Sequence, residues 1–194
     1  MATNEQRRAV TRAKLIEAAR QHFAAKGYDE THTGEILKHA GVSRGAMYHH
    51  FKSKQELFEA VFIAESDKAI AEASDAAGRD ASPFNNLIAA SLAWLQVVRR
   101  AEVASILLEQ GPQVLGWQRA RSLEAESSLG LMVKGLQAAV AKGEVSVPSI
   151  EMAARLINAI LAESALTALY DEPAVSVSDQ EQAVRQLIEG IRTP

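Results

Sequence analysis

The chain contains no cysteine among its 194 residues, which excludes disulfides, thiolate catalysis and cysteine redox sensing. Proline is scarce at five residues, and aromatic side chains make up 5% of a chain that is 47% hydrophobic and rich in alanine. That balance fits helices rather than sheets. All five histidines lie at or before residue 50, so the rest of the chain holds neither His nor Cys. This removes a histidine-containing di-iron bundle site and most nucleophile–base dyads from the larger part of the molecule. His49 and His50 are adjacent, point about 100° apart on a helix and form no helical metal pair. No G-x-S-x-G elbow, Walker loop or dinucleotide fingerprint is evident. Catalysis, a metal site and a cofactor are therefore not expected. The opening MATNEQRRAV has no apolar signal region, and no run approaches the roughly 20 apolar residues of a membrane span. A soluble cytoplasmic protein without a membrane partner is the expectation.

Net charge is −3, which by itself argues weakly against nucleic acid. Its distribution reverses that impression. Residues 1–60 hold ten Lys/Arg and seven Asp/Glu, a balance of +3, whereas residues 61–194 hold eleven and seventeen, a balance of −6. Basic character is thus concentrated in the first third, where Arg7, Arg8 and Arg12 form either an arm onto phosphates or a solvated tail.

The most informative stretch is residues 31–59, THTGEILKHAGVSRGAMYHHFKSKQELFE. Ile36, Leu37 and Ala40 mark one face of a short helix that Thr33 can cap. Gly41 follows where a chain leaving a helix needs positive φ. Val42 is a small plug between helices, and Ser43 is the N-cap of the next one. In that second helix Met47 and Phe51 turn inward. Arg44, Gly45, Ala46, Tyr48 and His49 lie on the remaining surface, with Arg44 in the first turn, where recognition helices contact bases. Ala46 is small enough to meet a thymine methyl. Ser53-Lys54-Gln55-Glu56 is a capping box whose N–H groups, with Lys54, suit a phosphate. Each residue alone has an ordinary packing or surface explanation. Together their spacing, caps and basic flank describe a helix-turn-helix that reads double-stranded DNA.

These residues also resemble the TetR/AcrR family of bacterial transcription regulators. The resemblance runs from about Thr11 to Val61. It includes Ala18-Ala19, Phe23, Gly27-Tyr28, Ile36, Ala40-Gly41-Val42-Ser43, Tyr48-His49-His50-Phe51, Ser53-Lys54 and Leu57, and its specific core is GVSRGAMYHHFKSKQEL. It implies a homodimeric, all-helical repressor that responds to a small-molecule inducer. By matching position it implies that Thr33, Arg44, Gly45, Ala46, Tyr48, His49, His50 and Lys54 contact DNA. Two departures stand out: Gly34 replaces a larger, often basic residue, and Leu37 replaces an alanine.

Beyond this segment the pattern predicts an all-α chain of about nine helices. An N-terminal three-helix DNA-binding domain (residues 1–58) precedes a larger ligand-binding and dimerisation domain (residues 59–194). The first helix is predicted from about Thr11 to Lys26, ending at Gly27. The fourth is predicted from Ser53 to about Ala77, with Leu57, Val61 and Ala64 on its buried face. Ser82-Pro83 starts a fifth, and Gly111-Pro112 is a strong stop. The seventh is predicted over about Leu115 to Ala141. The eighth, about Ser149 to Leu169, is apolar nearly all round and so needs burial on two sides. A capping box at Ser178-Asp179-Gln180-Glu181 opens the ninth. Met152, Leu156 and Ile160 of the eighth, with Val184, Leu187, Ile188 and Ile191 of the ninth, are the expected homodimer interface. Trp94, Trp117 and Met132 are candidates to line a ligand cavity, although aromatic residues at helical spacing are more often core. Glu126 and Asn158 are candidate polar contacts in it. Gly130 and Gly135 fall inside a helix, where each costs on the order of 1 kcal/mol relative to alanine. They point to close packing or to space for a ligand. The rival to a DNA-binding regulator is a helical interaction module that does not read DNA. A winged helix would need β-hairpin signals after the recognition helix, where the sequence is helical instead.

Overall fold

Thr3 starts the first helix earlier than the apolar stripe predicts. Its hydroxyl accepts the Gln6 N–H at 3.2 Å, and the Gln6 side chain accepts the Thr3 N–H at 2.8 Å. This reciprocal capping box lets α1 run Asn4–Glu30. The expected break falls at Gly27, whose φ of 79° leaves helical geometry, and a final turn continues beyond it. The computed structural model describes residues 3–78, 80–169 and 175–193. Among them there are helices and no strand.

Two short helices follow, α2 (Thr33–Ala40) and α3 (Arg44–His50). The cap of α2 is His32 rather than Thr33, and Glu35 returns to accept the His32 N–H at 3.4 Å. Gly41 ends α2 in the left-handed region at φ 64°, and the Ser43 hydroxyl accepts the Ala46 N–H at 3.2 Å to start α3. Helix α4 (Lys54–Ala76) is capped by Ser53. Its first turns bury Leu57 and Phe58 against Leu15, Phe23, Ile36, Met47 and Phe51. The Phe58 ring meets Phe23 and Tyr28 edge-on at 5.2 and 5.4 Å between centroids, a favourable aromatic arrangement. Further along, Phe62, Ser66, Ala69 and Ala73 are buried too. Ala64, expected on that face, is exposed. One continuous helix therefore crosses the expected boundary at residue 58.

The second layer comprises α5 (Pro83–Val98), a rod over residues 101–115, α8 (Trp117–Ala141), α9 (Ile150–Leu169) and α10 (Val177–Glu189). The stop expected at Gly111-Pro112 does not occur. The rod runs from α6 (Ala101–Ala104) through a π-helical segment (Ser105–Gln110) into α7 (Gly111–Leu115). Pro112 falls just past the π-helical segment, at the second residue of α7. A side chain at Gly111 would collide with the Phe62 ring, so the glycine is there for packing. The rod ends instead at Gly116, with φ 83°, and α8 consequently begins at Trp117 rather than Leu115. Helix α10 also starts earlier than its predicted capping box. Ser176 accepts the Asp179 N–H at 3.1 Å, which places Ser178 inside the first turn.

Helix α9 is the one described helix apolar enough to bear on the expectation about membrane spans, and it is not a convincing span of a membrane. By length and composition alone it could cross one, with a mean hydropathy of 1.3 over 18 residues. Its character arises because Ala154, Ile157, Leu161 and Ala165 face the protein core while Met152 and Leu156 face outward. Arg155 and Glu163 on the exposed surface interrupt the apolar run.

Candidate DNA-binding surface and interior cavity

Helix α3 is held from inside by Met47 and by Phe51 just past its end, both buried. This fixes which residues face out. Arg44, Gly45, Tyr48 and His49 are exposed, while Thr33, Ala46 and His50 are half-buried at the edges of the same surface. Every residue of the expected set is thus at least partly exposed, but Lys54 is engaged within the protein. Its ammonium donates to the carbonyls of Tyr28 and Thr31 at 2.7 and 3.0 Å and sits 4.1 Å from the Tyr28 ring centroid. It closes the end of α1 from within, and two of its three donors are occupied there.

Sequence reasoning missed the extension of α1 towards α3. The Thr3–Gln6 box was its signal. Asn4, Glu5, Arg7, Arg8 and Thr11 line a depression together with Ala46, His49 and His50. The Arg12 guanidinium lies 5.3 Å from the Phe51 ring centroid. Burial, then Arg8, His49 and Arg12, hold the His50 imidazole below its ordinary pKa. The cationic neighbours favour its neutral form. The arginines that could have been a solvated tail are therefore helical, and Arg7 and Arg8 adjoin α3.

A cavity of about 510 Å³ lies between α4, α5, α8 and α9, with Leu107 of the π segment in its wall. Trp94 and Met132 line it, as expected. Trp117 does not. It is 54% exposed at the outer start of α8, because Gly116 reverses the chain just before it, and the Arg121 guanidinium lies over its ring. Asn158 lines the cavity and donates to the Ser128 hydroxyl at 2.8 Å, whereas Glu126 is exposed and accepts from Ser122 at 3.1 Å. The carboxyl that does reach the cavity is Glu124, pushed up to about 7 by burial against the opposing pull of Arg121. Its signal in the sequence is its place on the stripe of Ser128 and Met132, at i+4 and i+8. A Cβ on Gly135 would lie 3.2 Å from Leu87, so that glycine allows close packing. Gly130 faces open space and does neither job.

Apolar residues also remain uncovered on the outside of α9 and α10. Met152, Leu156 and Leu187 are 56–60% exposed, and Ile160 and Ile191 are half-buried. Val184 and Ile188, expected at the same interface, are buried instead and belong to the protomer's own core. The broad apolar stripe of α10 spans both sides of that helix, which is why its sequence does not separate them.

Residues 15–61 match the model of bacterial regulatory proteins of the tetR family, and residues 84–191 match the tetracyclin repressor-like C-terminal domain. The chain is 27% identical over 191 residues to the HTH-type transcriptional regulator UidR of Escherichia coli, covering 94% of this chain and 93% of that protein. It is 42% identical over 67 residues to the HTH-type transcriptional regulator TtgR of Pseudomonas putida, covering 34% of this chain and 32% of that one. In fold it is similar to a TetR-family regulator from Pectobacterium atrosepticum, with a TM-score of 0.82 and 23% identity over 100% of this chain and 99% of that one. RolR in complex with resorcinol is similar at a TM-score of 0.75 and 17% identity, over 97% and 90% of the two chains. With both its helix-turn-helix and its helical C-terminal part matched, the chain belongs to the TetR family of bacterial regulatory proteins and is a DNA-binding transcriptional regulator.

Proposed function

We propose that this protein is a ligand-responsive repressor that binds a pseudo-palindromic operator as a homodimer and is released by a small molecule. The observation that carries the DNA half is the outward face of α3. Arg44, Tyr48 and His49 stand exposed on a helix whose opposite side is anchored by Met47 and Phe51. Arg44 and His49 serve as base readers, and Tyr48, His50 and the Arg7–Arg8 turn serve as phosphate contacts. The uncovered apolar residues of α9 and α10 support pairing with a second copy across a twofold axis. A dimer reads two half-sites about 34–36 Å, or a multiple of that, apart. Acting on chromosomal DNA, it works in the cytoplasm.

The cavity supports the ligand half. A ligand shifts the protein off DNA only if it binds the mis-spaced dimer more tightly than the DNA-competent one. The wall includes Ser66 of α4, the helix that also carries Leu57 and Phe58 of the N-terminal core, so the cavity and that core share one helix, which supports the ligand-release reading. Sequencing genomic fragments retained by the purified protein at moderate salt tests the whole. A single enriched palindrome is expected, and equal retention of specific and scrambled duplexes would favour the interaction-module alternative.

A further inference from the structure

The cavity wall has a single carboxylic acid among its described residues, Glu124. The same wall carries Ile70, Leu87, Leu129 and Leu161, with the Trp94 indole. The Glu124 side chain accepts no hydrogen bond from the described residues; the neighbouring Ser128 hydroxyl donates to the Glu124 backbone carbonyl instead, at 2.9 Å. The residue is half-buried, and a carboxyl partly shielded from water and without a hydrogen-bond partner is less favourable as an anion than one in open solvent. It either keeps its proton or waits for a counter-charge.

The other ionisable groups facing the cavity are Arg121, one turn earlier on α8, and Arg155 on α9. Both are exposed, and the charge of Arg121 offsets only part of the effect of burial on Glu124. Helices α4 and α5 contribute hydroxyl, amide and apolar groups to the wall and no ionisable one among the described residues. The desolvated charge is therefore the acid, and the group that gains most from a bound counter-ion is Glu124.

From this geometry we infer that the cavity takes an amphipathic organic amine, with its ammonium group on Glu124 and its apolar body along Trp94, Leu129 and Met132. The inference rests on the ligand-responsive reading of the same cavity and names the chemistry of its ligand. An ammonium supplies the missing hydrogen bonds and the opposite charge in a medium that screens poorly. An indole in the same cavity wall suits a cationic ligand as well. An alcohol of the same shape offers a hydrogen bond without the charge, and a carboxylic acid brings like charge against Glu124.

Proton linkage gives a second signature. Burial lifts the Glu124 carboxyl to about 7, so near pH 6 it holds its proton and near pH 8 it has lost it. An alkylamine stays protonated across that span, as its pKa is about 10. Amine binding therefore strengthens about tenfold from about pH 6 to about pH 8, following the ionised fraction of the acid. Neutral ligands show no such trend.

Calorimetric titration of the full chain with 4-phenylbutylamine, 4-phenylbutanol and 4-phenylbutanoate tests this, with Glu124→Gln alongside. The amine is expected to bind at least about tenfold tighter than the alcohol near pH 8, with the acid weakest. In Glu124→Gln the amine falls to the level of the alcohol, while alcohol binding persists and shows that the variant is folded. The pH series on the unaltered protein gives the same answer without a variant. The inference is overturned if the acid binds best, if amine and alcohol are equal, if Glu124→Gln keeps the preference, or if none of the three binds at millimolar concentration. Release of operator DNA, followed by fluorescence anisotropy, separates this from the broader reading. Release by the acid or the alcohol but not the amine overturns the amine and leaves ligand response standing. Tight amine binding without release supports the amine and overturns the response.

Discussion

The Gln110 side-chain amide donates to the backbone carbonyl of Phe23 at 3.1 Å, tying the π-helical segment to α1. The same amide nitrogen reaches the Ser105 hydroxyl at 2.8 Å, and Gln110 is buried. Three residues earlier, Leu107 lines the cavity. One short segment of widened helix thus touches both the cavity and the helix that supports the recognition surface. Replacing Gln110 by Met keeps most of the volume and removes the donor, leaving the Phe23 carbonyl short of a partner, but it also removes the buried Oε1 that has no partner. The expected loss of stability therefore falls towards the lower end of the range for an unpaired buried group, about 1–3 kcal/mol, read from urea unfolding. A variant as stable as the wild type would show that the bond contributes nothing net.

Arg44 and Lys54 separate on opposite predictions. Arg44 is exposed in the first turn of α3. Arg44→Ala should cost roughly 1–3 kcal/mol of operator affinity and relax preference at one base position, measured by competition with single-base operator variants. Lys54 already caps α1 through the Tyr28 and Thr31 carbonyls. Lys54→Met should therefore lower the melting temperature and leave the salt dependence of DNA binding nearly unchanged. A slope flatter by about one would mean that Lys54 neutralises a phosphate after all.

The helix-turn-helix was legible in the sequence because each of its signals is local. Gly41, Ser43 and Ser53 act within four residues of themselves, and Met47 and Phe51 share one helical face. What was not legible depends on tertiary contacts. Gly111-Pro112 reads as a stop, and only the neighbouring Phe62 ring and the π widening explain a helix that passes through it. Trp117 reads as a cavity residue until Gly116 turns it outward. Lys54 reads as a free cation until the two carbonyls 23 and 26 residues away are brought beneath it. Val184 and Leu187 look alike in a broad apolar stripe, and the packing of α10 decides which is core. Glu124 could be placed on the correct helix face, but its burial could not be known.

Leu156 and Leu187 test the proposed dimer. Both are about 60% exposed on the outer sides of α9 and α10, so a charge at either is tolerated by the lone protomer. Leu156→Glu and Leu187→Glu together should leave the helical content and melting cooperativity intact while sedimentation shifts from dimer to monomer. Operator affinity should then fall by at least about two orders of magnitude, since one half-site alone loses the gain of linked binding. A variant that stays dimeric would place the interface elsewhere on the molecule.

Glu65 gives a pH prediction with a defined sign. Its side chain is buried on α4, with one oxygen unpartnered and the Arg20 guanidinium of α1 at 3.9 Å. Burial raises its pKa, and Arg20 offsets only part of that. Between the ordinary carboxyl value, about 4.3, and the raised folded value, the unfolded chain holds fewer protons at this site than the native one. Stability at this site is therefore present below the ordinary value and is lost as pH rises through the folded one. Glu65→Gln removes the titration while keeping a group that can still face Arg20. The variant should gain on the wild type as pH is raised from about 4 to about 7, measured as paired unfolding midpoints across that range. A difference that stays flat, or that moves in favour of the wild type, would show that ion pairing with Arg20 outweighs desolvation.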